Sequence, residues 1–591
     1  MEKAGLFKNI RVYWLAFIAY WGIVLFGYDT GIAGGVVSNP YFLEVFGIQD
    51  ENGNIDTKRK DAISSNVVSV LQAGAFFGAL ASAPTSGPIL PYGPLRHVGA
   101  SEKAFLGCRL VPFSGSGTFV GEISPLLEGA LLALHSPSYL DGRGNGLSHL
   151  IDAWIGRKWT LIAYSLIFVV GAILTTVPND ASNGLSFIYA GRVISGFGIG
   201  AISAVAPAFV SECSPKEVRG RITGCFQIMV AAGVMISYFI NYGVGINFTN
   251  SPKIWRIPFG FQLVPAGIMC LGLFTVKESP RWLASKGRND EALRNLAYLR
   301  RESVDSESII HEMAEIEAVI KEEQEARQGL GWKEAFLGKG NFIRFVIAFV
   351  IFLLQQWSGQ NSVNYYAPQI FASIGYIGTK NSLLASGVYG IIKFVSTCLF
   401  IFFGVETLGR KLSLFISSIG MGTLFFIVGA ILKTHPTPST NANTKPPSPS
   451  PASQGMAGML YIYVCFYSMG WGPLPWVYVS DIFPTRTRHY GLAVASASQW
   501  LWNFVVSHQT PIMVTQLGYK LFFMFATVNI GAMGLFSLLI PETKGRSLEE
   551  MDIIFGTVDA SERENRINAQ ERAFEQHDIK DDNSLERDAK V

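Results

Sequence analysis

Three neutral amides, Gln355, Gln356 and Asn361, interrupt an otherwise apolar run that begins near residue 342. An amide both donates and accepts hydrogen bonds, so a cluster of amides suits a ligand rich in hydroxyl groups. Without such a ligand, buried amides must bond to neighbouring helices or carry a desolvation penalty. Three ionisable residues, Asp29, Arg192 and Lys393, stand in equally apolar surroundings. Each costs about 2.5–3.5 kcal/mol at the centre of a membrane span on insertion scales, so such residues are functional candidates by default. The Lys393 ammonium can hold a ligand carboxylate, or alternatively reach the interface or pair with a protein acid. Trp476, in a further apolar run, offers an aromatic face to a ring-shaped ligand.

The elements that must position these side chains are membrane helices. Of 591 residues, 49% are hydrophobic and only 15% charged, and the mean hydropathy is +0.30. Soluble domains carry nearer a quarter charged residues, roughly, so lipid is the expected solvent. A net charge of +3 is too small to suggest nucleic acid. Six cysteines without a CxxC pair give neither a zinc site nor a disulfide framework. With no nucleotide loop, metal cluster or catalytic triad in view, no enzyme activity, metal or cofactor is expected.

A helix needs roughly 20 apolar residues to cross a bilayer. About twelve such segments can be counted, at approximately 13–36, 62–83, 159–178, 185–210, 220–242 and 255–276, then 342–361, 381–404, 411–433, 456–479, 488–510 and 519–540. The expected fold is an all-α membrane protein of two six-helix bundles. The first bundle is residues 1–276, a charged amphipathic linker is 277–340, the second bundle is 341–545, and a charged tail is 546–591.

The two bundles repeat a signal. Gly156-Arg157-Lys158 after span two recurs as Gly409-Arg410-Lys411 after span eight. Glu212, Pro215 and Arg219 after span four recur as Asp481, Pro484 and Arg488 after span ten. Parallel repeats place a pseudo-two-fold axis along the membrane normal, with a ligand site between the halves near the midplane. The Arg-rich loops fall on alternate connections and share a side with both termini, which the positive-inside rule makes cytoplasmic. Asn247-Phe248-Thr249, a glycosylation sequon, falls on the opposite side.

One stretch does not fit. Residues 87–152 are rich in Pro, Gly and Ser where a short loop between spans two and three is expected, and their one apolar run is too short to span. Removing them would join Ser86 to Ala153-Trp154-Ile155-Gly156-Arg157, the compact loop the repeat predicts. A translated, unspliced intron or gene-model error is the expectation, with a genuine disordered insertion as the alternative.

Taken together, Gly27-Tyr28-Asp29-Thr30-Gly31, Gly191-Arg192, the two acid–Pro–Arg repeats, Glu278-Ser279-Pro280-Arg281, Gln355-Gln356-Trp357-Ser358-Gly359, Gly472-Pro473-Leu474-Pro475-Trp476 and Pro541-Glu542-Thr543-Lys544-Gly545 resemble the sugar porters of the major facilitator superfamily. The likeness covers nearly the whole chain outside the insertion and the tails. It departs at Ala153, where family members often carry an acid; the second-half counterpart, Glu406, is present.

The resemblance implies a substrate site of Gln355, Gln356, Asn361 and Trp476, joined by Gln227 in span five and by Gln499 and Asn503 in span eleven. It implies that Asp29 and Arg192 couple a proton to transport, although facilitators share the Asp. It implies a gate at the Arg-rich end built from Arg157, Glu212, Arg219, Glu278, Arg281, Glu406, Arg410, Asp481 and Arg488. At Lys393 sugar porters commonly carry a neutral Asn, whereas fungal quinate permeases carry a Lys. The expected function is therefore uptake of a monosaccharide by proton symport, with quinate or a uronate as the competing substrate, and facilitated diffusion or a transport-inactive sensor as further alternatives. The expected partners are a sugar or sugar acid, a proton and the lipid bilayer, for a monomer in a fungal plasma membrane.

Overall fold

The computed structural model describes residues 9–48, 56–86, 156–178, 184–248, 250–327, 336–338, 340–404, 409–437, 448–484, 487–544 and 548–556. The anomalous stretch 87–152, Glu406 and most of the tail lie outside these residues, and of Arg219 only the backbone is described.

Among the described residues every regular element is a helix. In the first half, span one is Ile10–Val37, span two Thr57–Ser86, span three Arg157–Thr176, span four Gly184–Cys213 and span five Lys216–Asn247; span six is Lys253–Phe261 continued by Leu263–Leu273. In the second half, span seven starts as Asn341–Gln356, span eight is Thr379–Leu399, span nine Arg410–Thr434, span ten starts as Pro451–Met469, span eleven is Arg488–Leu517 and span twelve begins at Lys520. Nine of these are, among the described residues, long and apolar enough to cross a membrane uninterrupted. The exceptions are spans seven, ten and eleven, which carry most of the polar candidates of the second half.

Spans seven and ten are broken, where the sequence suggests continuous helices. Span seven stops at Gln356 and resumes as Gln360–Tyr365 and Ala367–Ser373. Gly359 turns the chain with φ of 91°, a left-handed conformation that a side chain would strain, and an added Cβ would lie 2.9 Å from the Phe425 ring. Span ten stops at Met469 and resumes at Leu474–Ile482 after Gly470-Trp471-Gly472-Pro473. A break inside the bilayer frees backbone carbonyls that only protein or a wet cavity can satisfy. Span eight ends in a π-helical turn, Phe400–Gly404, and span twelve contains another, Val528–Gly534.

Between the halves, span two packs on span eleven and span five on span eight. Among the described residues, hydrogen bonds join the halves toward the end opposite the arginine-rich loops. Ser65 Oγ donates to the His508 carbonyl at 2.6 Å, Ser69 Oγ meets His508 Nδ1 at 3.2 Å, Tyr366 Oη donates to the Ser64 carbonyl at 3.3 Å, and Tyr238 Oη donates to the Asn364 carbonyl at 2.6 Å.

The linker forms helices Pro280–Ser285, Asn289–Arg300 and Glu307–Arg327 around a small core of Trp282, Leu283, Ala292, Leu296 and Ile309. Arg300 ties it to the first bundle: it pairs with Glu312 at 2.6 Å and donates to the Cys213 carbonyl at the end of span four.

Candidate functional site

Asp29 and Arg192 meet as an ion pair, each side chain only 1% exposed. Span one can bring Asp29 this deep because its glycines let it lie against span five; a Cβ at Gly27 would sit 2.0 Å from the Val230 carbonyl oxygen. Gln262 in span six donates to Asp29 Oδ1 at 2.8 Å, and Arg192 Nε donates to the Val67 carbonyl at 2.9 Å. The second carboxylate oxygen of Asp29 and Nη2 of Arg192 have no protein partner. The pair thus ties together spans one, two, four and six, yet each member keeps a free hydrogen-bonding position. Gln262 was not a sequence candidate. An amide at the start of an apolar helix was the available signal, but its target lies 233 residues away.

The span-seven amides form a chain at the breaks. Gln355 Nε2 donates to the carbonyls of Trp471 (2.7 Å) and Gly472 (3.3 Å), groups freed by the unwinding of span ten. Gln356 Nε2 donates to Gln355 Oε1 at 3.2 Å, and Asn361 Nδ2 donates to Gln356 Oε1. Trp476 is half-buried against Phe352, ring centroids 4.6 Å apart. In span eleven, Asn503 Nδ2 donates to the Tyr365 hydroxyl at 3.2 Å, leaving its Oδ1 unpartnered. Gln227 and Gln499 are half-buried and make no hydrogen bond to described residues. Of the sequence candidates, then, Gln355, Gln356 and Asn361 are linked directly, whereas Asn503 bonds to Tyr365 and, among the described residues, to none of the three.

Lys393 is 3% exposed, and among the described residues no carboxylate pairs with it. Its Nζ donates to Asn364 Oδ1 at 3.2 Å. Asn364 also receives Gln360 Nε2 at 2.9 Å, and Gln360 contacts the Tyr389 hydroxyl at 2.8 Å. The lysine neither reaches the interface nor pairs with an acid; it ends in a knot of neutral groups next to the span-seven amides. Gln360, Asn364 and Tyr389 were not sequence candidates, although a helical repeat of four places Gln360 and Asn364 on one face. Gln72 in span two is a further omission: it is fully buried, and its amide lacks a protein hydrogen bond at either end.

The arginine-rich end holds two separate clusters. In the first half Arg157 pairs with Glu212 at 2.8 Å, Ser279 Oγ donates to Glu212 at 2.6 Å, and Glu278 accepts the backbone N–H of Lys158 at 3.1 Å. In the second half Arg410 approaches Asp481 at 3.6 Å, Thr543 Oγ1 donates to Asp481 at 3.0 Å, and Glu542 accepts the backbone N–H groups of Arg410 and Lys411. Arg488 Nε donates to the Phe483 carbonyl in its own half, and Arg281 is half-buried after span six. Burial pushes the Glu278 carboxyl up, against backbone hydrogen bonds that lower it. At Glu542 burial also acts upward, but four backbone N–H groups outweigh it and hold the carboxyl below its ordinary range. Among the described residues no ion pair crosses from one cluster to the other.

Comparison with known proteins agrees with this architecture. The sugar (and other) transporter family pattern matches residues 15–87 and 144–555. A probable quinate permease of Neosartorya fischeri is 32% identical over 553 residues, 93% of this chain and 88% of the relative. The quinate permease of Emericella nidulans is 33% identical, covering 93% of this chain and 89% of the relative. The proton:xylose symporter XylE bound to 6-bromo-6-deoxy-D-glucose superposes with a TM-score of 0.65 at 22% identity, over 93% of this chain and all of XylE. The inward-open XylE of E. coli gives 0.64, also at 22%. The architecture is that of the major facilitator fold. The chain belongs to the sugar transporter family and is a multi-pass membrane transporter.

Proposed function

We propose that this transporter takes up a polyhydroxylated ring carboxylate of the quinate or uronate class, coupled to a proton. The observation that carries this reading is Lys393, a buried ammonium that has no carboxylate partner among the described residues and bonds instead to the span-seven amide Asn364. An uncompensated buried charge costs several kcal/mol as an order of magnitude, and a substrate carboxylate offsets that cost when it binds. The quinate permeases among the relatives support the same class. Substrate enters between the halves, and Gln355, Gln356 and Asn361 exchange their mutual hydrogen bonds for ring hydroxyls, with Trp476 against the ring face.

A second reading, uptake of a neutral hexose or pentose, is favoured by that amide chain, which needs no charge on its ligand. In either case a proton arriving on Asp29 neutralises the carboxylate and releases Arg192, biasing the equilibrium between outward- and inward-open states. The arginine clusters act as a gate at the cytoplasmic end, where both termini lie, and the chain works as a monomer in the plasma membrane. The insertion is no part of this machinery in this reading; the family pattern leaves residues 88–143 unmatched and resumes at 144, within the stretch 87–152.

The test is uptake of labelled quinate and labelled glucose by a yeast lacking its own hexose carriers, with and without a protonophore. Quinate uptake that collapses with the proton gradient is expected. Glucose uptake indifferent to quinate and galacturonate would move the assignment to the neutral sugar. Sequencing the transcript tests the insertion separately, since a message retaining those codons makes it a true part of the chain.

A further inference from the structure

Away from the transport path, a crevice opens at the arginine-rich end between the start of span one, the end of span six and the linker helix Asn289–Arg300. Arg11, Trp14, Thr275, Lys277 and Tyr298 line it, and among the described residues no acidic side chain does. The two cations share one aromatic support: the Arg11 guanidinium lies 4.0 Å from the Tyr298 ring centroid, and the Lys277 ammonium 5.8 Å. Arg11 Nη1 is further fixed by donating to the Tyr298 carbonyl at 2.6 Å, and Trp14 Nε1 donates to Thr275 Oγ1 at 3.0 Å. Glu278, the acid next to Lys277, is turned instead to the backbone N–H groups of Lys158 and Ser279.

The surroundings are apolar and open. Trp14 is 48% exposed, Trp159 51% and Phe274 56%, all at the ends of spans. Exposed tryptophans at span ends mark the boundary between headgroups and acyl chains. A pair of cations held at that depth, above bare aromatic rings, matches a ligand with an anionic head and an apolar body. A topological signal requires only that the charges exist; it requires neither their convergence on one ring nor the absence of an acid.

We propose that this crevice binds the phosphate of an anionic phospholipid in the leaflet at the arginine-rich end. The guanidinium presents its paired N–H groups to the phosphate oxygens, the ammonium supplies a second charge, and the acyl chains run along Trp14 and Phe274. Occupancy would brace span one, which carries Asp29, against the linker.

The experiment measures binding of labelled phosphatidylserine and labelled phosphatidylcholine to the purified full-length chain in neutral detergent. A preference for phosphatidylserine on the order of tenfold is expected for two cations at the membrane surface. Arg11→Gln with Lys277→Gln should abolish the preference. Arg11→Lys with Lys277→Arg, which keeps both charges, should retain most of it, and Lys253→Gln at the opposite end should change nothing. A misfolded variant would lose both lipids alike, whereas the expected loss is of the preference alone. An unaltered preference in the double glutamine variant, or none in the parent chain, overturns the proposal. Inorganic phosphate is the competitor arm: it should leave the lipid bound, and full displacement would assign the crevice to a free phosphate instead.

Discussion

The two halves both bury charge within the bilayer and treat it in opposite ways. In the first half the charge is balanced internally: Asp29 faces Arg192, and Gln262 and the Val67 carbonyl complete the set. In the second half Lys393 has, among the described residues, only the neutral Asn364 oxygen. A balanced pair is a device that a proton can unbalance, since neutralising the acid leaves the arginine alone. A lone cation is a device that a charged ligand can balance. The contrast separates coupling, carried by the first half, from recognition, carried by the second.

The largest expected effect comes from breaking the balanced pair. Arg192→Leu strands a carboxylate in apolar surroundings, and losing one partner of a buried pair costs about 3–5 kcal/mol. A drop in melting temperature and the loss of all concentrative uptake are expected. Asp29→Asn keeps a hydrogen-bond acceptor for Arg192 and should be milder for stability. It should still abolish accumulation against a gradient while leaving exchange of substrate down its gradient measurable. Accumulation that survives Asp29→Asn would place the coupling proton elsewhere.

The next effect tests the lone cation. Lys393→Asn removes a charge that pairs with no acid among the described residues, so the melting temperature should hold or rise, unlike Arg192→Leu. Uptake of quinate should fall by roughly tenfold to a hundredfold, as for a lost charge-assisted hydrogen bond of about 1.5–3 kcal/mol, with uptake of neutral sugars unchanged or improved. Equal losses for acid and neutral substrates would make Lys393 a structural residue. Gln355→Ala sharpens the same point from the neutral side. It leaves the Trp471 carbonyl without its donor, a cost of about 1–3 kcal/mol read as a lower melting temperature. It also removes an amide from every substrate alike, read as a rise in KM for acid and neutral substrates together.

The sequence carried more of the fold than of the site. Hydrophobic length and the repeated Gly-Arg-Lys signal locate the spans and the two halves, because both depend on local composition. The breaks in spans seven and ten escaped the reading, since Gln355 to Asn361 and Met469 to Leu474 lie inside apolar runs that continue on both sides. The ionisable residues stood out by their cost in lipid, and the structure sets Asp29 against Arg192. Their neutral partners, Gln262 and Asn364, did not, because an amide in a span is common and only tertiary packing reveals its target. Glu542 was within reach. It occupies the motif after span twelve as Glu278 occupies the motif after span six, and matching those two motifs across the repeat would have named it.

That pair, Glu278 and Glu542, provides the smallest and most specific test of the halves' inequality. Both carboxylates receive backbone N–H groups at the start of the helix that follows a Gly-Arg-Lys signal, where the helix dipole also favours an anion. They differ in burial. The Glu278 carboxyl is raised above the ordinary value of 4.5, so its contribution to stability is greatest below that value and declines as pH rises through the folded-state pKa. The Glu542 carboxyl is lowered, so its contribution is complete above 4.5 and is lost as pH falls through its folded-state pKa. Melting temperature followed against pH should therefore separate the variants with opposite slopes. Relative to Glu278→Gln the parent chain should lose stability on the alkaline side, and relative to Glu542→Gln on the acid side. Glu542 is partly open to solvent and screened, so each shift is expected to be on the order of a degree. Parallel profiles for the two variants would show that the repeat has made the two ends electrostatically equivalent, leaving the inequality of the halves to Asp29, Arg192 and Lys393 alone.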